Sequence, residues 1–206
     1  MTNKNYINEV TNAINQGLDD INDGNLVDFD DAKRKLLSLV SSERIYLTKL
    51  DKSMANDIWV NSLDENNRRF VPDEVFETLE DATNVVNALI ESYQSKDGPF
   101  VYAIIRNSDN ANLGYVQLVR IEEGWEIGYH IAKLYTNNGY ATEAVNLFLD
   151  YLKNNTDVTE IYGVALSSNK ASRRVLEKSG FELIYEGQGL YQGSNRKIIK
   201  SIKKLK

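Results

Sequence analysis

Between residues 125 and 155, the spacing of apolar positions changes from a strand-like to a helix-like pattern. Trp125–Ile131 is rich in aromatic and β-branched residues and follows a turn signal at residues 122–124, which predicts a strand. After Ala141, apolar side chains recur every three or four positions, which predicts an amphipathic helix. These positions are Ala144, Val145, Phe148, Leu149 and Leu152. The loop between the two patterns therefore leads into a helix N-terminus.

A second strand and a second helix follow in the same order. Glu160–Leu166 is predicted to be a strand, and a strand–helix–strand crossover makes its two strands parallel. The next helix is predicted to begin near Lys170, with Asn169 or Ser168 as N-cap, and to end at Gly180. Two helix N-termini are therefore expected at the same end of neighbouring parallel strands, where open α/β sheets bind ligands.

The remaining pattern predicts further strands and helices around this unit. Thr78 and Asp81 form a capping-box signal for one helix, and Leu63–Asp73 is a polar stretch with no predicted element. The predicted strands are Glu43–Leu50, Phe100–Arg106, Leu113–Ile121, Phe181–Tyr185 and Arg196–Lys203, and the predicted helices are Met54–Asn61 and Thr78–Tyr93. Helices alternating with strands predict an α/β fold class.

The loop at Thr136–Ala141 is suited to binding a phosphate. The first N–H groups of a helix lack intrahelical partners, and the aligned peptide dipoles add about half a positive charge there. A pyrophosphate therefore binds at such an end without a basic side chain. Gly139 allows close backbone approach because it has no Cβ, and Ala141 is the smallest side chain that favours a helix. Asn138-Gly139 by itself is an ordinary turn, so the prediction depends on the parallel strands.

The residue inventory excludes several kinds of chemistry. The chain has no cysteine, which excludes a cysteinyl acyl-enzyme, a thiolate zinc site and a disulfide framework. His130 is the only histidine, so multi-histidine metal sites are excluded, and we expect no metal. The balance of 30 acidic and 24 basic residues gives a net charge of −6, which disfavours nucleic acid as a partner and favours cationic amines or basic peptides. No membrane span or signal peptide is predicted, so we expect a cytoplasmic protein.

The succession EIGYHI, YTNNGYATEAV and N-x-x-S-x-R-V-L-E-K-x-G-F resembles the GNAT superfamily of acetyl-CoA-dependent N-acetyltransferases. Within it, the branch of ribosomal-protein N-terminal acetyltransferases fits best. The resemblance implies a GNAT domain over residues 42–206. Its fold is a mixed, mostly antiparallel sheet with flanking helices, in which one parallel pair of strands is splayed at the cofactor site. It also implies acetyl-CoA as the donor, and a protein N-terminus or a small amine as the acceptor.

The resemblance assigns cofactor-binding roles to residues of this chain. The pyrophosphate loop would be Thr136, Asn137, Asn138, Gly139, Tyr140 and Ala141. Backbone groups for the pantetheine arm would come from Tyr129, His130 and Ile131, and the thiol end would lie beside Asn169 and Ser172. The acceptor region would be covered by the segment that includes Arg68, Arg69, Phe70 and Tyr93, although a solvated loop is the alternative for the two arginines.

One departure from the family pattern concerns this loop. The usual Gln or Arg at its first position is Thr136 here, and a frequent second glycine is Asn137. Loss of a charge-assisted contact would weaken cofactor binding by about 1.5–3 kcal/mol. The backbone N–H groups that form most of the cradle are retained, so we still expect the loop to bind the cofactor.

Two residues are candidates for the chemistry of direct amine attack in a ternary complex. Glu126 is the candidate base, because strand alternation puts it on one face with Gly128 and His130 unless a bulge intervenes, and the family often places a glutamate on this strand. A solvated charge at the strand end is the alternative. Ser172 is the candidate proton donor to the leaving thiolate, where many members use a tyrosine further along the helix. The alternative is a serine that bonds the backbone in the first helical turn.

The pKa of the acceptor amine determines how much the reaction needs a catalytic base. A lysine-like amine with a pKa of about 10.4 costs roughly 4–5 kcal/mol to deprotonate at neutral pH, whereas a peptide α-amine with a pKa near 8 costs about 1–1.5 kcal/mol. Two other functions stay open: a non-catalytic acyl-CoA-binding or regulatory module, and a toxin-type acetyltransferase acting on aminoacyl-tRNA. The number of subunits, including a homodimer, is also open.

Residues 1–41 are predicted to form a separate helical extension. Helical patterns at Tyr6–Ile21 and Asp30–Val40 flank a break at residues 24–27. The stretch AINQGLDDINDGNLVDFDDAKRKLL resembles the C-terminal toxin-wrapping segment of small bacterial antitoxins. The alternative is an amphipathic helical pair that packs on the enzyme.

Overall fold

The computed structural model describes residues 11, 12, 15 and 36–206. By its contacts the chain divides into Met1–Leu37 and Ser38–Lys206. The antitoxin-like stretch, residues 13–37, lies outside the described residues except for residues 15, 36 and 37. Among the described residues, no helix combines the length and the apolar character needed to cross a membrane.

The described part of the chain forms one eight-stranded sheet with the strand order β1-β2-β3-β4-β5-β6-β8-β7. The strands are β1 Ser38–Ser41, β2 Ile45–Lys49, β3 Phe100–Arg106, β4 Asn112–Ile121, β5 Gly124–Ile131, β6 Glu160–Leu166, β7 Glu182–Tyr191 and β8 Ser194–Lys204. Within these residues, neighbouring strands are antiparallel except for β5 and β6, which are parallel. This confirms the predicted mixed α/β sheet with a parallel pair.

Helices cover both faces of the sheet. They are α1 Ala55–Ser62, α2 Glu65–Phe70, α3 Leu79–Ser92, α4 Tyr140–Asn155 and α5 Lys170–Lys178, with short 3-10 turns at Lys52–Met54, Pro72–Glu74 and Lys133–Tyr135. The buried stripe of α4 packs with one face of the sheet around Phe148, and it contains all five predicted positions. On the other face, Ile58 of α1 and Leu89 of α3 pack against Val101 and Ala103 of β3.

Local signals set the helix boundaries where the prediction was closest. Thr78 and Asp81 form the capping box at the start of α3, each side chain bonding the other residue's backbone N–H. Asn169 caps α5 by accepting a hydrogen bond from the N–H of Ser172. Gly180 follows α5 with a left-handed φ of 74°, as expected of a helix-terminating glycine.

The helical prediction for Asp30–Val40 is wrong at its C-terminal end. Ser38–Ser41 is strand β1, which pairs antiparallel with β2 and packs Leu39 and Val40 against the core. A short apolar run fits either a helix or a strand. The hydrogen bonds to β2 decide in favour of the strand.

Two other regions differ from the prediction. The polar stretch Leu63–Asp73 contains α2, because the Asp64 carboxylate accepts hydrogen bonds from the N–H groups of Asn66 and Asn67. The closing strands are longer than predicted and form a continuous hairpin across Gln192-Gly193, both with positive φ. Pairing with β8 extends β7 beyond its apolar segment to Tyr191.

The parallel pair separates within the sheet. Strand β5 pairs with β4 from Gly124 to Ile131 without a register shift, so Glu126 and His130 share a face as alternation predicts. Its ladder with β6 is limited to Glu126 opposite Tyr162. Beyond this point the two strands have no ladder pairs, and α4 and α5 begin after their C-terminal ends. The predicted splay therefore lies beside Gly128.

Candidate active site

The N-terminus of α4 lies after β5 and is open. Gly139 occupies the N-cap position with φ of 82°, and among the described residues no side chain caps this end. Asn137 also has a left-handed φ of 64°. An added Cβ at Gly139 would have one neighbouring atom within 4 Å, Nη2 of Arg44 at 3.8 Å. The first-turn N–H groups of α4 and the open surface at Gly139 thus fit an anion, with Tyr140 and Ala141 as the first helical residues.

Side chains of the same loop hold its shape rather than extend outward. The Thr136 hydroxyl donates to the Lys133 carbonyl at 2.9 Å. The Asn138 amide donates to the carbonyls of Tyr135 and Thr136 at 3.1 and 3.0 Å. The uncharged Thr136 side chain therefore bonds within the loop.

A cation from a distant part of the chain lies beside this loop. Nη1 of Arg44 donates to the Asn138 carbonyl at 3.2 Å, and Nη2 pairs with the Glu143 carboxylate in the first turn of α4. The Arg44 guanidinium also lies 4.8 Å from the centre of the Tyr140 ring. Sequence spacing gave no signal for Arg44, because 94 residues separate it from Asn138.

The start of α5 brings Ser172 against a tyrosine of β5. The Ser172 Oγ lies 2.9 Å from the Tyr129 hydroxyl, which also contacts the Ser172 carbonyl at 3.0 Å. Burial raises the pKa of Tyr129, and the bond with Ser172 acts in the opposite direction. The family resemblance assigns only the backbone of Tyr129 to the site. The Tyr129 hydroxyl comes from strand β5, whereas the family usually places a tyrosine on the helix.

Glu126 lies at the point where β5 and β6 separate. Its side chain is partly buried, and burial raises its pKa to about 7; nearby Lys200 lowers the pKa and Glu123 raises it. This environment differs from the solvated strand end that was the alternative. A carboxyl group with a pKa near neutrality is suited to proton transfer at physiological pH.

The face of the sheet that carries Glu126 also borders a cavity of about 200 Å³. The cavity lies between α1, the segment that includes α2 and Pro72–Glu74, α3, and strands β3 to β5. Its walls are mainly apolar, and its polar residues include Asn67, Glu74, Asn112, Tyr115, Gln117 and His130. Such a partly enclosed, apolar cavity with a few polar groups is typical of a small-molecule site.

Glu74 contributes a second partly buried carboxylate to this face. Its Oε1 accepts a hydrogen bond from Nε2 of Gln117 at 3.0 Å, and its Oε2 accepts one from the Tyr115 hydroxyl. Burial raises the pKa of Glu74 to about 7, opposed by the Gln117 bond and assisted by the Asp73 charge. No sequence motif marks Glu74, which follows the polar stretch Leu63–Asp73 at the end of the short 3-10 turn Pro72–Glu74.

The side chain of His130 lines this cavity. Its Nε2 lies 3.7 Å from the Asp64 carboxylate, and its ring centre lies 5.6 Å from that of Tyr115. The interaction with His130 is the largest contribution that holds the pKa of Asp64 below its ordinary value; burial opposes it, and the N–H groups of Asn67 and Asn66 add to it. The side chain of His130, the only histidine of the chain, is thus packed beside Asp64 and Tyr115.

The tip of the β7–β8 hairpin contacts Phe70, at the end of α2, and Asp73, which lines the cavity. The Tyr191 hydroxyl donates to the Phe70 carbonyl at 3.1 Å, and the Gln192 amide bonds the Asp73 carboxylate. Burial raises the pKa of Tyr191 to about 12, and the charges of Glu74 and then Glu126 add to this effect. The charges of both partly buried carboxylates therefore act on Tyr191 in the same direction as its burial.

The remaining sequence candidates lie elsewhere. Arg68 pairs with Glu77 on the surface, and the Arg69 guanidinium lies over the Phe70 ring. The Tyr93 hydroxyl links α3 to the sheet by bonding the backbone of Leu50 and Val101. Arg68 and Tyr93 are absent from the lining of the 200 Å³ cavity. Ile131 ends β5 and packs with the core.

Comparisons with known proteins agree with this geometry. The family described as acetyltransferase (GNAT) domain matches residues 44–182. The uncharacterized N-acetyltransferase YoaA of Bacillus subtilis (strain 168) is 25% identical over 150 residues, which cover 71% of this chain and 84% of YoaA.

Two solved structures share the fold. An acetyltransferase of the GNAT family from Bacillus anthracis has a TM-score of 0.69 and 23% identity, covering 81% of this chain and 98% of its own. RimL, a ribosomal L7/L12 alpha-N-protein acetyltransferase in complex with coenzyme A, has a TM-score of 0.71 and 18% identity, covering 81% and 97%. With its splayed parallel strands, its open helix N-terminus and a family match over residues 44–182, the chain belongs to the GNAT acetyltransferase family.

Proposed function

We propose that the protein transfers an acetyl group from acetyl-CoA to a primary amine, by direct attack in a ternary complex. The observation that carries this proposal is the separation of β5 and β6 just beyond Glu126. It leaves a gap between an open helix N-terminus and a partly buried carboxylate.

The donor end of this gap fits a nucleotide pyrophosphate. The N–H groups of residues 137–141 would hold the phosphates, and Arg44 adds a positive charge beside the Asn138 carbonyl. The backbone of Tyr129, His130 and Ile131, which lies beyond the last β6 ladder pair, would hold the pantetheine arm. Acetyl-CoA supplies the acetyl thioester that the amine attacks.

Glu126 and Ser172 account for the proton transfers. Glu126 accepts the proton of the attacking amine, for which its pKa of about 7 is suited. Ser172, fixed by the Tyr129 hydroxyl and by the Asn169 cap, gives a proton to the departing thiolate. Peptide α-amines with a pKa near 8 need less help from Glu126 than lysine-like amines.

The acceptor is a protein N-terminus or a small amine. The cavity supports this proposal, because it borders the face of the sheet toward which Glu126 projects and its lining includes the carboxylates of Asp73 and Glu74. A protein N-terminus is supported as the acceptor by the name of RimL, a ribosomal-protein alpha-N acetyltransferase with this fold.

Thiol release from acetyl-CoA, measured with a panel of small amines, peptides and aminoacyl-tRNA, tests this function. We expect acceptor-dependent release with amines or peptides. Binding of CoA without release by any acceptor would contradict the transfer reaction and support a non-catalytic acyl-CoA-binding module. Release with aminoacyl-tRNA and with no other acceptor would support the toxin-type reaction instead.

A further inference from the structure

The 200 Å³ cavity contains a carboxylate that lacks a cationic partner. Both oxygens of Glu74 accept hydrogen bonds from neutral donors, namely Gln117 and Tyr115. Among the described residues, no Lys or Arg forms an ion pair with Glu74. A carboxylate has about four lone-pair sites, so Glu74 has capacity to accept hydrogen bonds from a bound cation.

A second group points to a ligand in the same cavity. The Asn112 side chain lines the cavity and is 8% exposed, and its Nδ2 has no hydrogen-bond partner in the described part of the chain. Its Oδ1 accepts a hydrogen bond from the Gly114 N–H at 3.1 Å, which fixes the amide. A buried donor without a partner is costly, and an acceptor atom of a ligand would satisfy it.

The cavity and the gap both border the paired strands β4 and β5. Gln117, which holds Glu74, lies directly opposite Gly128 in the β4–β5 ladder. An added Cβ at Gly128 would come within 2.6 Å of Nε2 of Gln117, so the two residues are in close contact. Gly128 is also the first residue of this face after Glu126. Glu74 therefore lies on the same face of the sheet as Gly128 and Glu126.

We propose that this cavity binds the acceptor, and that the acceptor is a primary ammonium with a hydrogen-bond acceptor nearby and an apolar group of amino-acid size. Glu74 receives the ammonium, Asn112 donates to the nearby acceptor atom, and the apolar walls hold the body of the substrate. The walls that select this body include Leu50, Ile58, Phe76, Val86, Leu89 and Val101. The volume of about 200 Å³ limits the body to the size of one residue.

This inference rests on the proposed acetyl transfer and adds the groups that choose its acceptor. A free amine and the first residue of a peptide share the required chemistry. Phenethylamine, phenylalaninamide and a tetrapeptide that begins with phenylalanine represent these sources, and 2-phenylethanol is the uncharged match for phenethylamine.

Calorimetric titration of the full chain, saturated with CoA, tests the ammonium contact. We expect phenethylamine to bind at least about 10-fold more tightly than 2-phenylethanol, and Glu74→Gln to remove that preference, as for a lost hydrogen bond to a charged group. Glu77→Gln is the matched control, because Glu77 lies three residues away and pairs with exposed Arg68. It should leave phenethylamine affinity within two-fold. The CoA affinity and melting temperature of each variant report whether it is folded.

A second comparison tests Asn112. Phenylalaninamide has a carbonyl next to its ammonium, and phenethylamine has none. Asn112→Ala should weaken the binding of phenylalaninamide by about 10-fold and change the affinity for phenethylamine less than three-fold. The reason is that only phenylalaninamide has a carbonyl that can accept a hydrogen bond from the Asn112 side chain. Equal weakening of both ligands would overturn the role of Asn112. If Asn112→Ala does not fold, the preference of the unaltered protein for phenylalaninamide over phenethylamine decides the point.

The outcomes separate this inference from the transfer reaction. Equal binding of phenethylamine and 2-phenylethanol, or unchanged phenethylamine affinity in Glu74→Gln, would overturn the proposed cavity function even if acetyl transfer occurs. Glu74-dependent binding without thiol release would support the cavity and contradict the transfer reaction. Acetylation of the tetrapeptide would identify the source as a peptide N-terminus, and acetylation of phenethylamine alone as a free amine.

Discussion

At the scale of single residues, the site contains two partly buried carboxylates whose charged forms are unfavourable. Burial raises the pKa of Glu74 and of Glu126 to about 7. Neither has an ion-pair partner among the described residues, although Lys200 is close enough to lower the pKa of Glu126. Such groups destabilise the folded protein at alkaline pH. Two carboxylates with raised pKa values on one face of the sheet are expected where side chains act on a substrate.

The Glu126→Gln variant should be more stable than the unaltered protein near pH 8. A carboxyl group whose pKa is raised by folding binds its proton more tightly in the folded state, so stability falls as pH rises from about 4.5 to about 7. The shift corresponds to roughly 3 kcal/mol above pH 7. Urea unfolding at pH 4 and pH 8 measures the gain, which should vanish at pH 4. Equal stability of the two proteins at pH 8 would contradict the buried, charged environment.

The same substitution should impair catalysis. Loss of a general base typically costs about 10²–10⁴-fold in rate, and the loss should be greater for lysine-like amines than for peptide α-amines. In the unaltered protein, kcat should rise with pH through about 7 as Glu126 loses its proton. Glu122→Gln, which changes an exposed carboxylate in the β4–β5 turn, is the control. A pH profile of Glu126→Gln that matches that of the unaltered protein would remove Glu126 from the mechanism.

Positions set by local sequence signals differ physically from those set by the tertiary fold. The place of Glu126 on β5 and of Asn169 and Ser172 at the start of α5 could be predicted, because each belongs to a strand or helix signal that is local in sequence. The places of Glu74 at the cavity and of Arg44 beside the α4 loop could not, because folding alone brings them there. Tyr115 and Gln117 meet Glu74 across more than 40 residues, and no local spacing encodes that contact.

At the scale of elements, the start of α4 combines a helix N-terminus that lacks a side-chain cap with a nearby arginine. Arg44 comes from the turn before β2 and bonds both the loop and Glu143 of α4. Thr136 lacks the charge that the family usually places in this loop, and Arg44 supplies a cation beside it. The interaction is half exposed, so solvent screens it.

Arg44→Gln should therefore weaken CoA binding by about 10-fold, near the lower end of the range for a charge-assisted contact. Part of the change would come from the loop, which loses the hydrogen bond to Asn138. Arg68→Gln is the control, because Arg68 pairs with Glu77 at another surface. Isothermal titration with CoA makes the comparison. Equal CoA affinity in Arg44→Gln and in the control would show that Arg44 does not contact the cofactor.

Most elements could be predicted because local and tertiary preferences agree in them. The stripe of α4 and the capping box of α3 are examples, since the same residues that favour each helix also bury or cap it. Strand β1 and helix α2 were missed for opposite reasons. The hydrogen bonds of β2 impose β1 on an ambiguous sequence, whereas a single Asp64 cap starts α2 within a polar stretch.

At the scale of the whole molecule, the elements that form the proposed site belong to Ser38–Lys206, which separates from Met1–Leu37 by its contacts. Deletion of residues 1–37 retains β1 and should leave CoA affinity unchanged within about two-fold. Titration of the shortened chain measures this. If residues 1–37 pack on the enzyme or mediate pairing, the melting temperature or the mass in gel filtration should change. Loss of CoA binding would show that the N-terminal residues contribute to the site.

The net charge of −6 predicts a modest salt effect on acceptor binding. Acidic surfaces attract cationic amines over a Debye length of about 8–10 Å at physiological salt. The KM for an ammonium substrate should therefore rise with salt more than the affinity for CoA falls. Steady-state assays at low and high salt test this, and a KM independent of salt would contradict electrostatic attraction of the acceptor.

The central claim is that the open N-terminus of α4 binds the pyrophosphate of coenzyme A. Calorimetric titration with CoA and with pantetheine, which lacks the nucleotide and the pyrophosphate, tests it most directly. We expect CoA to bind at one site per chain and pantetheine to bind at least about 100-fold more weakly, because it leaves the helix N-terminus and Arg44 without an anion. No heat with CoA, or equal affinity for both compounds, would contradict the claim.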